Sequence, residues 1–210
     1  MKTLRILLLF LFTSSSLFAQ DKVLFHGGFY GGMSTSQVSG DNLSGFKKVG
    51  GYAGAFVNIG FTKSSYLQIE ASYIQKGSRS VSKTTGVLAY SLNLQYFEFP
   101  VLYQYRFQGK LHRFGLEAGV GTGFLLKTTG VEKVNGYDVI NPRPFNRLDL
   151  SAMGGFSIKL MERDKFNLST VIRGSQSIIP IRAHESGAVY RLNRGQYNTV
   201  LGLVLMFEFM

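Results

Sequence analysis

Apolar and polar residues alternate along most of this chain with a period of two, the mark of strands whose two faces meet different surroundings. The clearest stretch is Leu94 to Phe107, LQYFEFPVLYQYRF. Its odd positions from Phe97 onward are Phe97, Phe99, Val101, Tyr103, Tyr105 and Phe107, and its even positions include Glu98, Gln104 and Arg106. The aromatic face is too large to leave in water, while Glu98 and Arg106 stand where a sandwich core needs apolar groups. A membrane barrel resolves the conflict by turning the apolar face to lipid and the polar face to a lumen.

The same pattern recurs in eight segments. Phe25, Phe29 and Met33 oppose His26 and Tyr30 in the first, and Ala53, Ala55, Val57, Ile59 and Phe61 form one face of the second. The third sets Leu67, Ile69, Ala71 and Tyr73 against Gln68 and Glu70, and the fourth ends at Phe107. Leu116, Val120, Phe124 and Leu126 oppose Glu117 in the fifth, and Leu148, Leu150 and Phe156 oppose Arg147 and Asp149 in the sixth. Ile172 lies across from Arg173 in the seventh, and Leu201 to Phe209 alternate with Asn198, Gly202 and Glu208 in the eighth. The connections alternate: 34–48, 77–86, 128–144 and 180–195 are long, whereas 62–65, 108–111 and 162–164 are tight. Outer-membrane barrels have this asymmetry, with short periplasmic turns, longer external loops and both termini periplasmic. The expected fold is all-β, an eight-stranded antiparallel up-and-down transmembrane β-barrel.

Within the fourth segment the apolar parity changes, Leu92 and Leu94 being even and Phe97 and Phe99 odd. One extra residue there explains it, so the pattern predicts a β-bulge near Tyr96. Pro100 needs a place without a ladder donor.

Composition supports lipid more than water. The chain is 45% hydrophobic and 14% aromatic with 25 glycines, which suits strands in which only alternate residues are apolar. It has no cysteine, which excludes disulfides and thiolate metal sites. Lys2 and Arg5 precede the apolar run Ile6 to Phe12, then serines and Ala19, so residues 1–19 read as a secretory signal and 20–210 as one barrel domain. Export turns the formal charge of +11 toward anionic lipid and surface glycans and away from nucleic acid, for which there is no motif.

The sequence resembles the eight-stranded outer membrane β-barrel family of Bacteroidetes, often labelled porin-family or PorT-like. The likeness rests on YIQKGS at Tyr73 to Ser78, YFEFPVLYQYRF from Tyr96, and LEAGVGTGFLL from Leu116. It implies a cell outer membrane location in a Gram-negative bacterium. It also implies, through the family's namesake, a role as an accessory of a protein secretion or outer membrane assembly machine.

An eight-stranded barrel is only wide enough for side chains to fill its interior. Glu70, Glu98 and Glu117 point inward by parity, as does Arg173, and Arg bonds two carboxylates at once. Arg173 is therefore expected to cross the lumen to at least one of them, with Arg106–Glu208 and Arg147–Asp149 as further inward pairs. This network reads as a structural polar core. His184, Glu185 and Ser186 stand together in AHESG, but sequence neighbours seldom converge in triad geometry, and His26 and His112 lie elsewhere. No catalytic site, metal or cofactor is expected, and a narrow channel is the lesser reading. Function falls to the external loops, as a surface contact or for envelope integrity, in a monomer. Their basic residues, Lys47, Lys48, Arg79, Lys83, Lys133, Arg143, Arg182, Arg191 and Arg194, suit lipopolysaccharide phosphates.

Overall fold

A computed structural model describes residues 24–39, 45–81, 88–134, 137–139, 145–182 and 195–209. The strands are β1 (Leu24–Ser39), β2 (Lys48–Gly60), β3 (Ser65–Val81), β4 (Leu88–Arg106), β5 (Phe114–Val134), β6 (Tyr137–Val139), β7 (Leu148–Glu162), β8 (Phe166–Ser177) and β9 (Tyr197–Phe209). Neighbours pair antiparallel in the order β4-β3-β2-β1-β9-β8-β7-β5, and a β4–β5 ladder closes the circle. Eight strands thus form a closed up-and-down barrel, and β6 is a three-residue addition to the end of β5. The proposed signal segment, Lys83, Arg143, the 184–186 cluster, Arg191 and Arg194 lie outside the described residues.

Closure joins the eight barrel strands into one ring, and it turns one face of each outward. That outer face carries Phe25, Phe29 and Met33 of β1, Phe97 to Tyr105 of β4, Leu116, Val120 and Phe124 of β5, and Leu201, Leu203 and Leu205 of β9. Phe25 is 68% exposed and Leu126 60%, part of an apolar belt far larger than a water-soluble monomer shows. Where first and last strands meet, Phe29 stacks on Phe207 with centroids 5.4 Å apart, and Phe207 stacks on Phe166 at 4.9 Å. The outside of the β1–β9–β8 seam is therefore fastened by rings.

The structure corrects the expected cause of the parity change in β4. Leu92, Leu94 and Tyr96 are buried on the same inward face as Glu98, Leu102 and Gln104, so β4 does not slip. What changes is the lumen, which turns apolar toward the long-loop end. A bulge does exist opposite this point, but on β5: Gln95 pairs with Lys127 and Tyr96 with Leu125, leaving Leu126 as the extra residue. Pairing of β4 with β3 lapses between Ser72–Glu98 and Ile69–Val101, which is where Pro100 sits without an N–H to give. β3 also runs past the expected break at Gly77, and this places Lys76 on an inward position.

Candidate functional site

The lumen is filled by three polar layers and one apolar layer, each built by the inward residues of several strands. In the middle layer, Arg173 of β8 donates from Nη1 to Glu70 Oε2 and from Nη2 to Glu70 Oε1, both at 2.8 Å. Its Nε and Nη2 also reach the Glu117 carboxylate, and Nη1 donates to Tyr52 Oη at 2.9 Å. Tyr30 donates to Glu70 Oε2 at 2.6 Å, and Gln68 donates to the same carboxylate. The planar guanidinium fork is what allows one cation to serve two carboxylates. Glycine supplies the room: Gly155 lies in the register row between Glu117 and Arg173, and a Cβ there would come within 2.6 Å of Glu117 Oε1.

Toward the long loops, Lys76 of β3 stands 2.6 Å from Glu98 Oε1 and 3.0 Å from Asp149 Oδ2. Asp149 also accepts from Ser177 Oγ at 2.7 Å and Asn198 Nδ2 at 2.9 Å. Toward the tight turns, Arg106 is paired with Glu208 at 2.9 Å and lies 4.1 Å over the Tyr66 ring. Asn58 donates to Glu208 Oε1 at 2.6 Å. Above Lys76, the apolar layer of Val38, Leu92, Leu94, Tyr96, Val200 and Ile181 closes the long-loop mouth.

Of the eight expected network residues, the structure brings Glu70, Glu117 and Arg173 into one cluster and Arg106 with Glu208 into another. Glu98 and Asp149 meet through Lys76. The expected Arg147–Asp149 pair is corrected: Arg147 precedes β7, so strand alternation does not govern it, and it is exposed while Asp149 is buried. Sequence reasoning set Tyr30 and Asn198 on the polar face of their strands without giving them partners, and it missed Lys76 and Tyr52. Lys76 was readable, because it continues the even face of Gln68, Glu70 and Ser72, but the segment from Gly77 looked like loop.

His112 Nδ1 lies 3.0 Å from its own turn carbonyl, Gly109 O, and among the described residues no group of three His, Asp or Glu converges as for a metal. What the side chains accomplish is closure: each of the cations Arg173, Lys76 and Arg106 is held by one or two carboxylates across the lumen, and the mouth above them is packed.

A closed barrel with an apolar outer wall and a polar interior narrows the choice of relatives, and sequence comparison decides it. The sequence model of the outer membrane protein beta-barrel domain matches residues 18–181. The chain belongs to that family. No curated protein sequence matches this outer membrane barrel. Among solved structures it is similar to Neisserial surface protein A, at 9% identity and a TM-score of 0.46, over 89% of this chain and 98% of that one. It is similar to Ail of Yersinia pestis at 12% identity and a TM-score of 0.47, over 88% and 98%. OprG of Pseudomonas aeruginosa gives 12% identity and a TM-score of 0.42, over 90% and 97%.

Proposed function

We propose that this outer membrane barrel is a non-conducting, non-enzymatic surface protein whose long-loop end binds anionic groups, the phosphates of outer-leaflet lipopolysaccharide first among them. The observation that carries this is the charge at that end. Lys47, Lys48, Arg79, Lys127 and Arg147 are cations at or near the rim, and the described side chains there include no exposed carboxylate. A one-signed rim attracts anions over about 8–10 Å at physiological salt. Transport through the lumen is disfavoured by the same reading, because the apolar plug and the three ion-paired layers beneath it fill the interior with side chains. The orientation that fits has both termini in the periplasm and the long loops outside.

The test is binding of purified, detergent-solubilised protein to lipopolysaccharide and to its dephosphorylated form. A Lys48→Gln/Arg79→Gln/Lys127→Gln/Arg147→Gln variant is expected to lose at least tenfold in affinity for the phosphorylated form only. Equal binding of both lipids by both proteins would overturn the proposal. Planar-bilayer recordings should show no conductance steps.

The finer PorT-like likeness has a structural reading. Its motifs supply Lys76, Glu98 and Glu117, which are lumen residues, so the shared residues mark a way of filling a barrel. A role beside a secretion or assembly machine would act through the loops, and co-purification of partner proteins from native membranes is its test.

A further inference from the structure

The tight-turn end of the lumen is not packed shut. A cavity of about 40 Å³ opens there, bordered by Asn58, Arg106, His112, Arg113, Lys159 and Glu208. At roughly 10–15 Å³ for each water, it holds about three waters or a group of three to four heavy atoms. That space suits a carboxylate, or two or three oxygens of a phosphate whose remainder stays at the open mouth.

Its charge is unbalanced. Arg106 is engaged with Glu208 at 2.9 Å, and Lys159 with Glu162, also at 2.9 Å, so each of these cations has its counter-charge. The Arg113 guanidinium lines the cavity with no hydrogen bond or ion pair among the described residues, leaving one positive charge over. Asn58 is 1% exposed, and its Oδ1 has no partner although its Nδ2 is bonded to Glu208. An acceptor left open beside a surplus fork-shaped donor suits a guest that brings both a negative charge and a proton or a bound water. An apolar molecule would satisfy neither.

We propose that this turn-end cavity is a binding site for a single small oxyanion, held by Arg113, with Lys159 and Arg106 supplying the field around it. The oxyanion arrives free, as phosphate or a small carboxylate, or as the terminal carboxylate of a peptide chain presented from the same side of the membrane. The site is separate from the long-loop rim and stands whether or not that rim binds lipid.

Isothermal titration calorimetry of the full chain in maltoside detergent tests it, using inorganic phosphate, acetate, and two peptides of one sequence ending in a free carboxylate or in an amide. Saturable binding at one site is expected, weakened at least tenfold by Arg113→Gln. Ser157→Leu, which fills the cavity from its wall, is expected to weaken it as much with the charges intact. Arg147→Gln at the far end should change it less than twofold. A tenfold preference for the free peptide carboxylate over the amide identifies a chain end, and binding of phosphate or acetate alone identifies a free anion. No saturation with any probe, or unchanged affinity in Arg113→Gln, overturns the proposal. The boiling-dependent gel shift of each variant establishes that it is folded, and Lys159→Gln replaces Ser157→Leu if the latter is not.

Discussion

At the scale of single residues, burial makes the lumen charges interdependent. Lys76 is 1% exposed and is held between two carboxylates, so Lys76→Met leaves Glu98 and Asp149 facing each other without a cation. A loss of about 3–5 kcal/mol is expected from urea unfolding in detergent, since removing one partner strands a buried charge. Neutralising all three positions, Lys76→Met/Glu98→Gln/Asp149→Asn, should recover most of it. If the triple variant is no more stable than the single one, the ion pairs matter for something other than charge balance. Two adjacent glycines give a second contrast. Gly155 faces inward against Glu117, with a hypothetical Cβ 2.6 Å from its Oε1, whereas Gly154 faces outward with its nearest neighbour, Glu117 O, at 3.8 Å. Gly155→Ala is expected to cost about 1–3 kcal/mol by overpacking, and Gly154→Ala to stay within about 0.5 kcal/mol. Equal unfolding midpoints would show that Glu117 can move aside without loss.

At the scale of elements, what alternation could and could not disclose follows from what it measures. Period two says which residues share a face, so Glu70, Glu117 and Arg173 were placed together from their parity, and they are in contact. It does not say what that face meets. The change of parity from Leu92 and Leu94 to Phe97 and Phe99 was ascribed to a bulge near Tyr96, yet Leu92 and Leu94 pack the loop-end plug with Val38 and Ile181. Nor does parity hold outside a strand, which is why Arg147 was misplaced, or identify which strand of a pair carries the extra residue, which is Leu126 of β5. The plug yields its own prediction. Leu94→Ala leaves a void among buried neighbours and should cost about 2–5 kcal/mol. Leu126→Ala, on the outer face where lipid fills the space, should cost clearly less, and the reverse order would place Leu94 outside.

At the scale of the whole molecule, the barrel is a wall whose two ends differ: one plugged by apolar side chains beneath a cationic rim, the other open to a small charged cavity. The up-and-down order was legible in the sequence because long and short connections alternate, and the inside-out polarity because Glu98 and Arg106 oppose a face of aromatic rings. The ends were not, because the side chains that close or open them come from strands far apart in the chain. That separation has a kinetic consequence. Arg173 and Glu70 are 103 residues apart, and the other partners of Arg173 stand on β2 and β5. The bond to Glu117 needs only β7 between β5 and β8, but those to Glu70 and Tyr52 cannot form until β9 joins β8 to β1 and the barrel closes. A partly wound chain would therefore hold bare charges in lipid, with nothing to reward stopping there. Refolding into micelles should be slow and all-or-none, with tyrosine fluorescence and the gel shift developing at one rate, and no half-formed species outliving the mixing step.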